Sequence, residues 1–193
     1  MHKIVALVGM TGSGKSEFSD WLAQKGYHYV RFGQITLDEV KKRGLEPTEE
    51  NERPIREEFR KQYGPGAFAI LNIPKFDETL KTGDVVVDGI YSWSEYKILK
   101  EKYGENLIVV AICAPPKLRY ERLASRAARH GDDPKMKFRS FTPEAAKARD
   151  YAEIENIEKG GPIAMADYTI LNTGTLENAY TKIENILKEI NKI

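Results

Sequence analysis

Short runs of apolar residues alternate along the chain with longer segments in which apolar and polar positions recur at helical spacing. Several of the apolar runs are continuous, as in Val85-Val86-Val87 and from Leu107 to Ile112. Continuous runs are typical of parallel strands that helices cover on both faces. Strands are predicted near residues 3–8, 28–31, 84–88, 106–113 and 167–171. The pattern therefore predicts an α/β fold, a three-layer αβα sandwich around a parallel sheet.

The segment 41–62 stands apart because it is dense in charges of both signs. Mixed signs favour a solvated helical lobe over a disordered tail. Pro47 and Pro54 are typical of helix starts, and Gly64-Pro65-Gly66 indicates a break. The length suits one main domain, and no internal repeat divides the chain, so we expect residues 1–193 to form a single domain.

The first apolar run leads directly into Gly9-Met10-Thr11-Gly12-Ser13-Gly14-Lys15-Ser16, which fits the phosphate-binding pattern G-x-x-x-x-G-K-[ST]. Glycine lets the backbone curl until several N–H groups converge on a polyphosphate, and the next helix adds its positive N-terminus. Lys15 is expected at the β- and γ-phosphates, and Ser16 is expected to ligate magnesium. The candidate nucleotide-binding residues are Gly9, Thr11, Gly12, Ser13, Gly14, Lys15 and Ser16.

The alternative for this segment is a glycine-rich turn that binds nothing. The motif requires a strand before it and a helix after it. Phe18, Trp21 and Leu22 have the spacing of a helix over residues 17–24. The context therefore favours a nucleoside triphosphate site.

A carboxylate ends the third predicted strand, in Val85-Val86-Val87-Asp88-Gly89. Strand ends in open α/β sheets point into the ligand crevice. Asp88 is therefore a candidate to hold magnesium through water or to accept a proton from the attacking oxygen. The plainer alternative is an aspartate that caps a loop, and the nearby Lys15 and Ser16 favour the functional interpretation.

Arginines cluster after the fourth predicted strand, at Arg119, Arg122, Arg126 and Arg129, and Arg149 follows later. Three of them have i, i+4, i+7 spacing, which places guanidinium groups on one helix face. A closing flap of arginines would neutralise charge in phosphoryl transfer and exclude water. The alternative is a solvated helix. The phosphate motif favours the functional role for Arg122 and Arg126, while Arg119 and Arg129 stay undecided.

The overall charge narrows the classes of partner. Thirty Lys and Arg residues against 29 Asp and Glu give a net charge of +1, which argues against a nucleic-acid or membrane surface partner. No apolar stretch is long enough for a membrane span or a signal peptide, so we expect a cytoplasmic protein. The lone Cys113 is expected in a buried strand, and the three histidines have no zinc-ligand spacing.

Together, the phosphate motif, the strand ending in Asp88, Arg122-x-x-x-Arg126 and Asn172-Thr173-Gly174 resemble the adenylate kinase and dephospho-coenzyme A kinase group. Within that group the chain is most similar to archaeal adenylate kinase-related proteins labelled dephospho-coenzyme A kinase-like.

The resemblance implies a P-loop kinase with sheet order 2-3-1-4-5, an acceptor-binding lobe at about 34–80 and a lid at about 126–142. It implies ATP and Mg2+ as ligands. Arg122 would stack on adenine, Arg126 and Arg149 would contact the transferring phosphate, and the loop with Asn172 and Gly174 would frame the base. Lys15, Asp88, Arg126 and Arg149 are the catalytic candidates, and Ser16 and Asp88 the metal ligands.

The sequence departs from this group where the acceptor should bind. Leu37 and Tyr91 stand where relatives carry arginine. Arg31, Arg56 and Arg60 could compensate, although helix surface and core are the plainer interpretations of these residues.

Three hypotheses follow. The first is ATP-dependent phosphoryl transfer to a small nucleotide or nucleotide-like acceptor. The second is an ATP-binding switch or slow NTPase without a small-molecule acceptor. The third, nucleic-acid processing, is disfavoured by the near-neutral charge.

Overall fold

The computed structural model describes residues 2–125 and 141–190. Its centre is a five-stranded sheet in which neighbouring strands run parallel. The strands are β1 (Ile4–Val8), β2 (His28–Arg31), β3 (Val85–Asp88), β4 (Leu107–Cys113) and β5 (Tyr168–Leu171). They lie in the order β2-β3-β1-β4-β5, which confirms the predicted sheet. The strand that leads into the glycine-rich loop is therefore the central one.

Helices connect the strands and cover both faces of the sheet. They are α1 (Lys15–Gln24), α2 (Gln34–Lys42), α3 (Glu49–Tyr63), α4 (Ala67–Thr79), α5 (Trp93–Tyr103), α6 (Pro116–Ala124), α7 (Pro143–Ile157), α8 (Gly160–Ala164) and α9 (Leu176–Ile190), with a 3₁₀ turn at Gly104–Asn106. Within the residues that the structure describes, no helix has both the length and the apolar character needed to cross a membrane.

The core consists of two hydrophobic layers, one on each face of the sheet. Ile4, Ala6 and Val8 of β1 face a layer that α4 and α5 complete, whereas Val5 and Leu7 face a layer completed by α1 and α9. All five side chains are at most 1% exposed. Burying a large apolar side chain stabilises a fold by about 1.5–3 kcal/mol. The loop after β1 therefore starts from a strand that is held on both faces.

Three strands bring their carboxyl ends to one edge of the sheet. Asp88 at the end of β3 lies opposite Leu7 of β1 on one side and opposite Arg31 of β2 on the other. In open parallel sheets this edge is where ligands bind. The register thus places Asp88 beside the start of the glycine-rich loop.

Between β2 and β3 the chain forms a helical lobe of α2, α3 and α4, within the predicted range 34–80. The prediction that Pro54 starts a helix is wrong, because α3 begins at Glu49. Thr48 is the N-cap and its side chain accepts a hydrogen bond from Asn51 N at 3.4 Å. The helix continues through Pro54 despite the missing N–H, and the buried Ile55 anchors this turn in the core.

The start of α5 carries a buried carboxyl group. Ser92 Oγ accepts a hydrogen bond from Glu95 N at 3.1 Å, and Glu95 Oε2 accepts from Tyr91 N and Ser92 N at 2.9 Å. This reciprocal capping box satisfies backbone donors at the helix N-terminus. Glu95 is 1% exposed, and burial raises its pKa to about 7. The backbone hydrogen bonds from Tyr91 and Ser92 lower the pKa, but burial has the larger effect.

A buried ion pair joins α6 to α7. Arg119 Nη1 and Nη2 donate to the two carboxylate oxygens of Asp150 at 2.9 and 2.5 Å, and Tyr120 OH donates to Asp150 at 2.9 Å. The side chains of the pair are 5% and 8% exposed. Because Arg119 is buried in this pair, the alternatives of a mobile flap arginine and a solvated helix residue are both wrong for it.

Glu95→Gln should remove a pH dependence of stability. The folded protein holds a proton on Glu95 up to about pH 7, whereas the unfolded chain releases it near the ordinary value of 4.5, so this group's contribution falls as pH rises between those values. Relative to Glu95→Gln, wild type should lose up to about 3 kcal/mol of unfolding free energy from pH 4.5 to 8. Urea unfolding across that range measures the difference. A constant difference would contradict the expectation, and the exposed Glu101→Gln on the same helix is the control.

Asp150→Ala should destabilise the fold by about 3–5 kcal/mol, because it leaves the Arg119 guanidinium buried without its carboxylate. Glu57→Ala, which breaks the exposed Arg53–Glu57 pair, should cost less than about 1 kcal/mol. Urea denaturation of both variants beside wild type provides the comparison. Equal losses would show that Asp150 does not support a buried charge.

Candidate nucleotide-binding site

The glycine-rich loop packs too closely against its neighbours for side chains at Gly9, Gly12 and Gly14. A Cβ at Gly9 would lie 2.3 Å from the Ile112 carbonyl oxygen, and a Cβ at Gly14 would lie 2.5 Å from Asn172 Nδ2. Both glycines also have positive φ angles, of 146° and 102°. Ile112 belongs to β4 and Asn172 follows β5, so the loop is pressed onto the ends of these two strands.

Buried side chains hold the carbonyl oxygens of the loop. Arg119 Nη1 donates to Thr11 O at 2.9 Å, and Asn172 Nδ2 donates to Ser13 O at 2.8 Å. Asn172 is itself fixed, because its N–H donates to Cys113 O at 2.7 Å. Arg119 and Asn172 thus brace the loop from outside. Sequence reasoning missed both braces, since no spacing along the chain links residue 11 with residue 119.

Lys15 lies over the loop that it follows. Its Nζ donates to Gly9 O at 2.8 Å and to Met10 O at 3.2 Å. These carbonyl oxygens are neutral acceptors, and a phosphate oxygen makes a stronger charge-assisted bond with an ammonium group. Lys15 can therefore exchange them for a polyphosphate.

Ser16 and Asp88 lie together where the loop enters α1. Ser16 Oγ donates to Asp88 Oδ2 at 3.1 Å, and Tyr29 OH contacts the same oxygen at 3.4 Å. Magnesium in nucleotide sites takes one or two protein oxygens and completes its shell with phosphate and water. A hydroxyl and a carboxylate side by side fit that ion, although no cluster of three metal-binding His, Cys, Asp or Glu side chains occurs among the described residues.

A cavity of about 1250 Å3 connects the loop with the helical lobe. Seven predicted site residues line it together: Thr11, Gly12, Gly14, Lys15, Ser16, Asp88 and Arg149. Pockets for drug-sized ligands commonly have volumes of about 300–1000 Å3. The cavity therefore has room for more than the phosphates of one nucleotide.

The remaining predicted site residues either do not line this cavity or fall outside the described residues. Arg122 on α6, Asn172 and Gly174 are not among the described residues that line the cavity. The side chain of Asn172 faces the loop backbone, and Gly174 lies in an exposed turn before α9. Arg126, and the predicted lid apart from its last two residues, fall in the stretch 126–140, outside the described residues.

Arg149 reaches the cavity from α7. Its Nε donates to Glu153 Oε1 at 2.9 Å, and its guanidinium lies 5.2 Å from the ring centre of Phe141. The side chain is 43% exposed, so solvent and ligands can contact it. Arg149 is thus positioned by a carboxylate and an aromatic ring on the wall that the predicted lid adjoins.

Sequence reasoning missed a second charged pair at this wall, formed by Glu153 and Lys159. Lys159 Nζ donates to Glu153 Oε2 at 2.5 Å and lies 5.4 Å from the ring centre of Tyr91. Thr11 Oγ1 lies 3.3 Å from both carboxylate oxygens, which links the pair to the glycine-rich loop. No sequence motif marked these residues.

The pKa values of the pair follow from burial and charge. Burial alone would raise the pKa of Glu153, but Lys159 and Arg149 outweigh it and lower the value to about 2. Burial lowers the pKa of Lys159, and Glu153 opposes that shift. Glu153 therefore stays ionised and separates two cations of the cavity wall.

The lobe side of the cavity is rich in arginine, although Leu37 and Tyr91 do line it as the sequence indicated. Its cations are Arg31, Arg53, Arg56 and Arg60. Arg56 pairs with Glu49 and Glu52, and Arg53 pairs with Glu57. Arg31, Arg56 and Arg60, which the sequence analysis weighed as substitutes for the missing acceptor arginines, thus all line the cavity.

Solved structures with the same fold include small-molecule kinases. The chain is similar to TT1252 from Thermus thermophilus, with 19% identity, a TM-score of 0.63 and 98% of each chain covered. It is also similar to a gluconokinase from Sinorhizobium meliloti, with 17% identity, a TM-score of 0.52, and 92% of this chain and 86% of that one covered. A shikimate kinase from Acinetobacter baumannii, solved in complex with shikimate, gives 18% identity, a TM-score of 0.56 and coverage of 98% and 94%. These likenesses establish a P-loop kinase-like fold.

Sequence comparison gives a narrower grouping. A family model described as an AAA domain matches residues 5–158. UPF0200 proteins of Thermococcus kodakarensis and Pyrococcus horikoshii are 38% and 36% identical over 189 residues, which is 97% of this chain and 97% of each relative. With that identity along almost its whole length, the chain belongs to the UPF0200 family.

Proposed function

We propose that this protein is a kinase that transfers the γ-phosphoryl group of ATP, with Mg2+, to a small acceptor molecule. The observation that carries the proposal is the lining of the cavity. Lys15, Ser16 and Asp88 line it together with side chains of the lobe formed by α2, α3 and α4. A site for a nucleotide alone does not require that the lobe contribute to its lining.

Each residue of the site has its own role in such a transfer. Lys15 and the loop N–H groups bind the β- and γ-phosphates, and Ser16 and Asp88 hold the magnesium ion, which would neutralise phosphate charge when bound. Arg149 supplies positive charge where the transferred group becomes more negative. If Asp88 is not occupied by the metal, it accepts the proton of the attacking acceptor oxygen.

The finer assignments rest on the family resemblance. Arg122 stacking on adenine, the base framed by the loop with Asn172 and Gly174, and a lid that carries Arg126 all belong to this proposal. A nucleoside monophosphate or dephospho-coenzyme A is the acceptor that the resemblance favours. The gluconokinase and shikimate kinase folds add hydroxy acids to the acceptors worth testing.

The second candidate is a nucleotide switch or slow NTPase. Leu37 and Tyr91 favour it, because neither side chain can bind an acceptor phosphate as an arginine would. Arg31, Arg56 and Arg60 on the same cavity wall weigh against it. We therefore rank the kinase first.

Lys15→Ala should reduce acceptor-stimulated ADP release on the order of 100-fold or more, because it removes a cation at the phosphates. The assay uses Mg-ATP with AMP, CMP, UMP, GMP, deoxynucleotides, dephospho-coenzyme A, gluconate, shikimate or no acceptor. Lys25→Ala, at the exposed end of α1, is the control and should behave as wild type. One acceptor that stimulates release many-fold supports the kinase. A slow rate that depends on Lys15 but on no acceptor supports the switch.

Arg149→Ala should lower kcat on the order of 100-fold while changing the KM for ATP much less, since its charge acts on the transition state. Steady-state kinetics with the stimulating acceptor separates the two constants. Lys147→Ala, an exposed position on the same helix, is the matched control. If Arg149→Ala raises the KM and leaves kcat unchanged, the residue binds nucleotide and does not assist transfer.

A further inference from the structure

One arginine in the lobe wall differs from its neighbours. Arg60 lies on α3 with its guanidinium 5.3 Å from the ring centre of Phe68, and both residues line the cavity. Arg53 and Arg56 on the same helix have carboxylate partners, but no carboxylate of the described residues forms an ion pair with Arg60. Burial lowers the pKa of Arg60, and Glu95 offsets this only in part. Arg60 is thus a partly desolvated cation facing a cavity, and an anionic ligand would compensate it.

A second feature points to a ligand at the same wall. Thr36 lines the cavity in the first turn of α2 and is 2% exposed. Its Oγ1 is buried without a hydrogen-bond partner among the described residues. An unsatisfied buried hydroxyl costs about 1–3 kcal/mol, so native proteins rarely keep one without a reason. The helix N-terminus beside it, capped by Gly33 without a side-chain hydrogen bond, adds a partial positive charge.

The sheet order shows on which side of the phosphate loop this wall lies. The lobe joins β2 to β3, on one side of the central strand β1, whereas the braces Arg119 and Asn172 follow β4 and β5 on the other side. The phosphate loop lies between the two sides, directly after β1. A molecule held by the lobe therefore lies on the side of the phosphate loop opposite to β4 and β5.

We propose that Arg60 and Thr36 form the acceptor subsite, and that the acceptor carries a phosphate or carboxylate group which binds there while its attacking oxygen faces the phosphate loop. This rests on the proposed kinase function and narrows it to anionic acceptors. The absence of arginine at Leu37 and Tyr91 is then compatible with an anionic substrate, because Thr36 on α2 and Arg60 on α3 bind its charged group.

The first test compares charged acceptors with neutral counterparts in the ADP-release assay: AMP with adenosine, CMP with cytidine, and gluconate with glucose. Only the charged member of a pair should stimulate release, and the successful pair distinguishes phosphate from carboxylate. Arg60→Gln should raise the acceptor KM on the order of 10- to 100-fold while the KM for ATP stays within about 3-fold. Lys61→Gln, the exposed neighbour outside the cavity, should match wild type.

Thr36→Val provides a readout that a merely structural role would not give. Removing an unpaired buried hydroxyl should leave the fold as stable as wild type or more stable, yet raise the acceptor KM about 3- to 10-fold. A loss of stability with an unchanged acceptor KM would show that the hydroxyl serves the fold, and would overturn its role in the subsite.

The second test reads anion binding without turnover. Inorganic phosphate and acetate are titrated calorimetrically into protein saturated with a non-hydrolysable ATP analogue. At least one should bind saturably to wild type and to Lys61→Gln, and on the order of 10-fold or more weakly to Arg60→Gln. Absence of saturable binding, or equal binding to Arg60→Gln, overturns the proposal.

The two tests separate the two ideas. If no acceptor stimulates Lys15-dependent ADP release but anion binding depends on Arg60, the kinase function fails and the anion subsite stands. If neutral acceptors work as well as charged ones and Arg60→Gln is unchanged, the kinase function stands and the subsite fails.

Discussion

A phosphate loop can turn its N–H groups toward a ligand only if its carbonyl oxygens have partners elsewhere, and the rest of the site depends on this constraint. Arg119 binds Thr11 O, Asn172 binds Ser13 O, and Lys15 closes over Gly9 O and Met10 O. The two braces come from the segments after β4 and β5, and Asp150 fixes Arg119 in turn. The loop is therefore held by the sheet and by α7.

The charges of the cavity obey a similar rule, because each buried cation needs an acceptor. Glu153 serves Arg149 and Lys159 at once and lies against Thr11 of the loop. An ionised carboxylate attracts both neighbouring cations and so offsets the repulsion between them. An arriving polyphosphate offers more negative charge than this one group. Arg149 is partly exposed and can move toward the phosphate. The buried Lys159 stays paired with Glu153, so the cavity wall keeps its structure.

The sequence predicted features that local pattern determines and missed those that depend on the packing of distant segments. Continuous apolar runs gave the five strands, and the glycine spacing marked the loop, since both follow from short-range geometry. The roles of Arg119 and Asn172 could not be predicted, because their partners lie more than 100 positions away. Pro54 was misjudged because the cap at Thr48 outweighs the local signal of proline. The ligand-binding roles of all the predicted site residues, from Lys15 and Asp88 to Arg149, stay predictions.

The lobe shows that an arginine can face the cavity from a different place in the sequence than the one where related kinases carry it. Arg53, Arg56 and Arg60 follow i, i+3, i+7 spacing on α3, so they share one helix face. Acidic residues on the same helix neutralise the first two, and the charge of Arg60 remains for the cavity. A helix surface whose only task is solubility would pair or solvate that last cation. Its placement against Phe68 instead keeps the guanidinium partly desolvated, and a charge-assisted hydrogen bond to an oxyanion would stabilise it more than a bond to water.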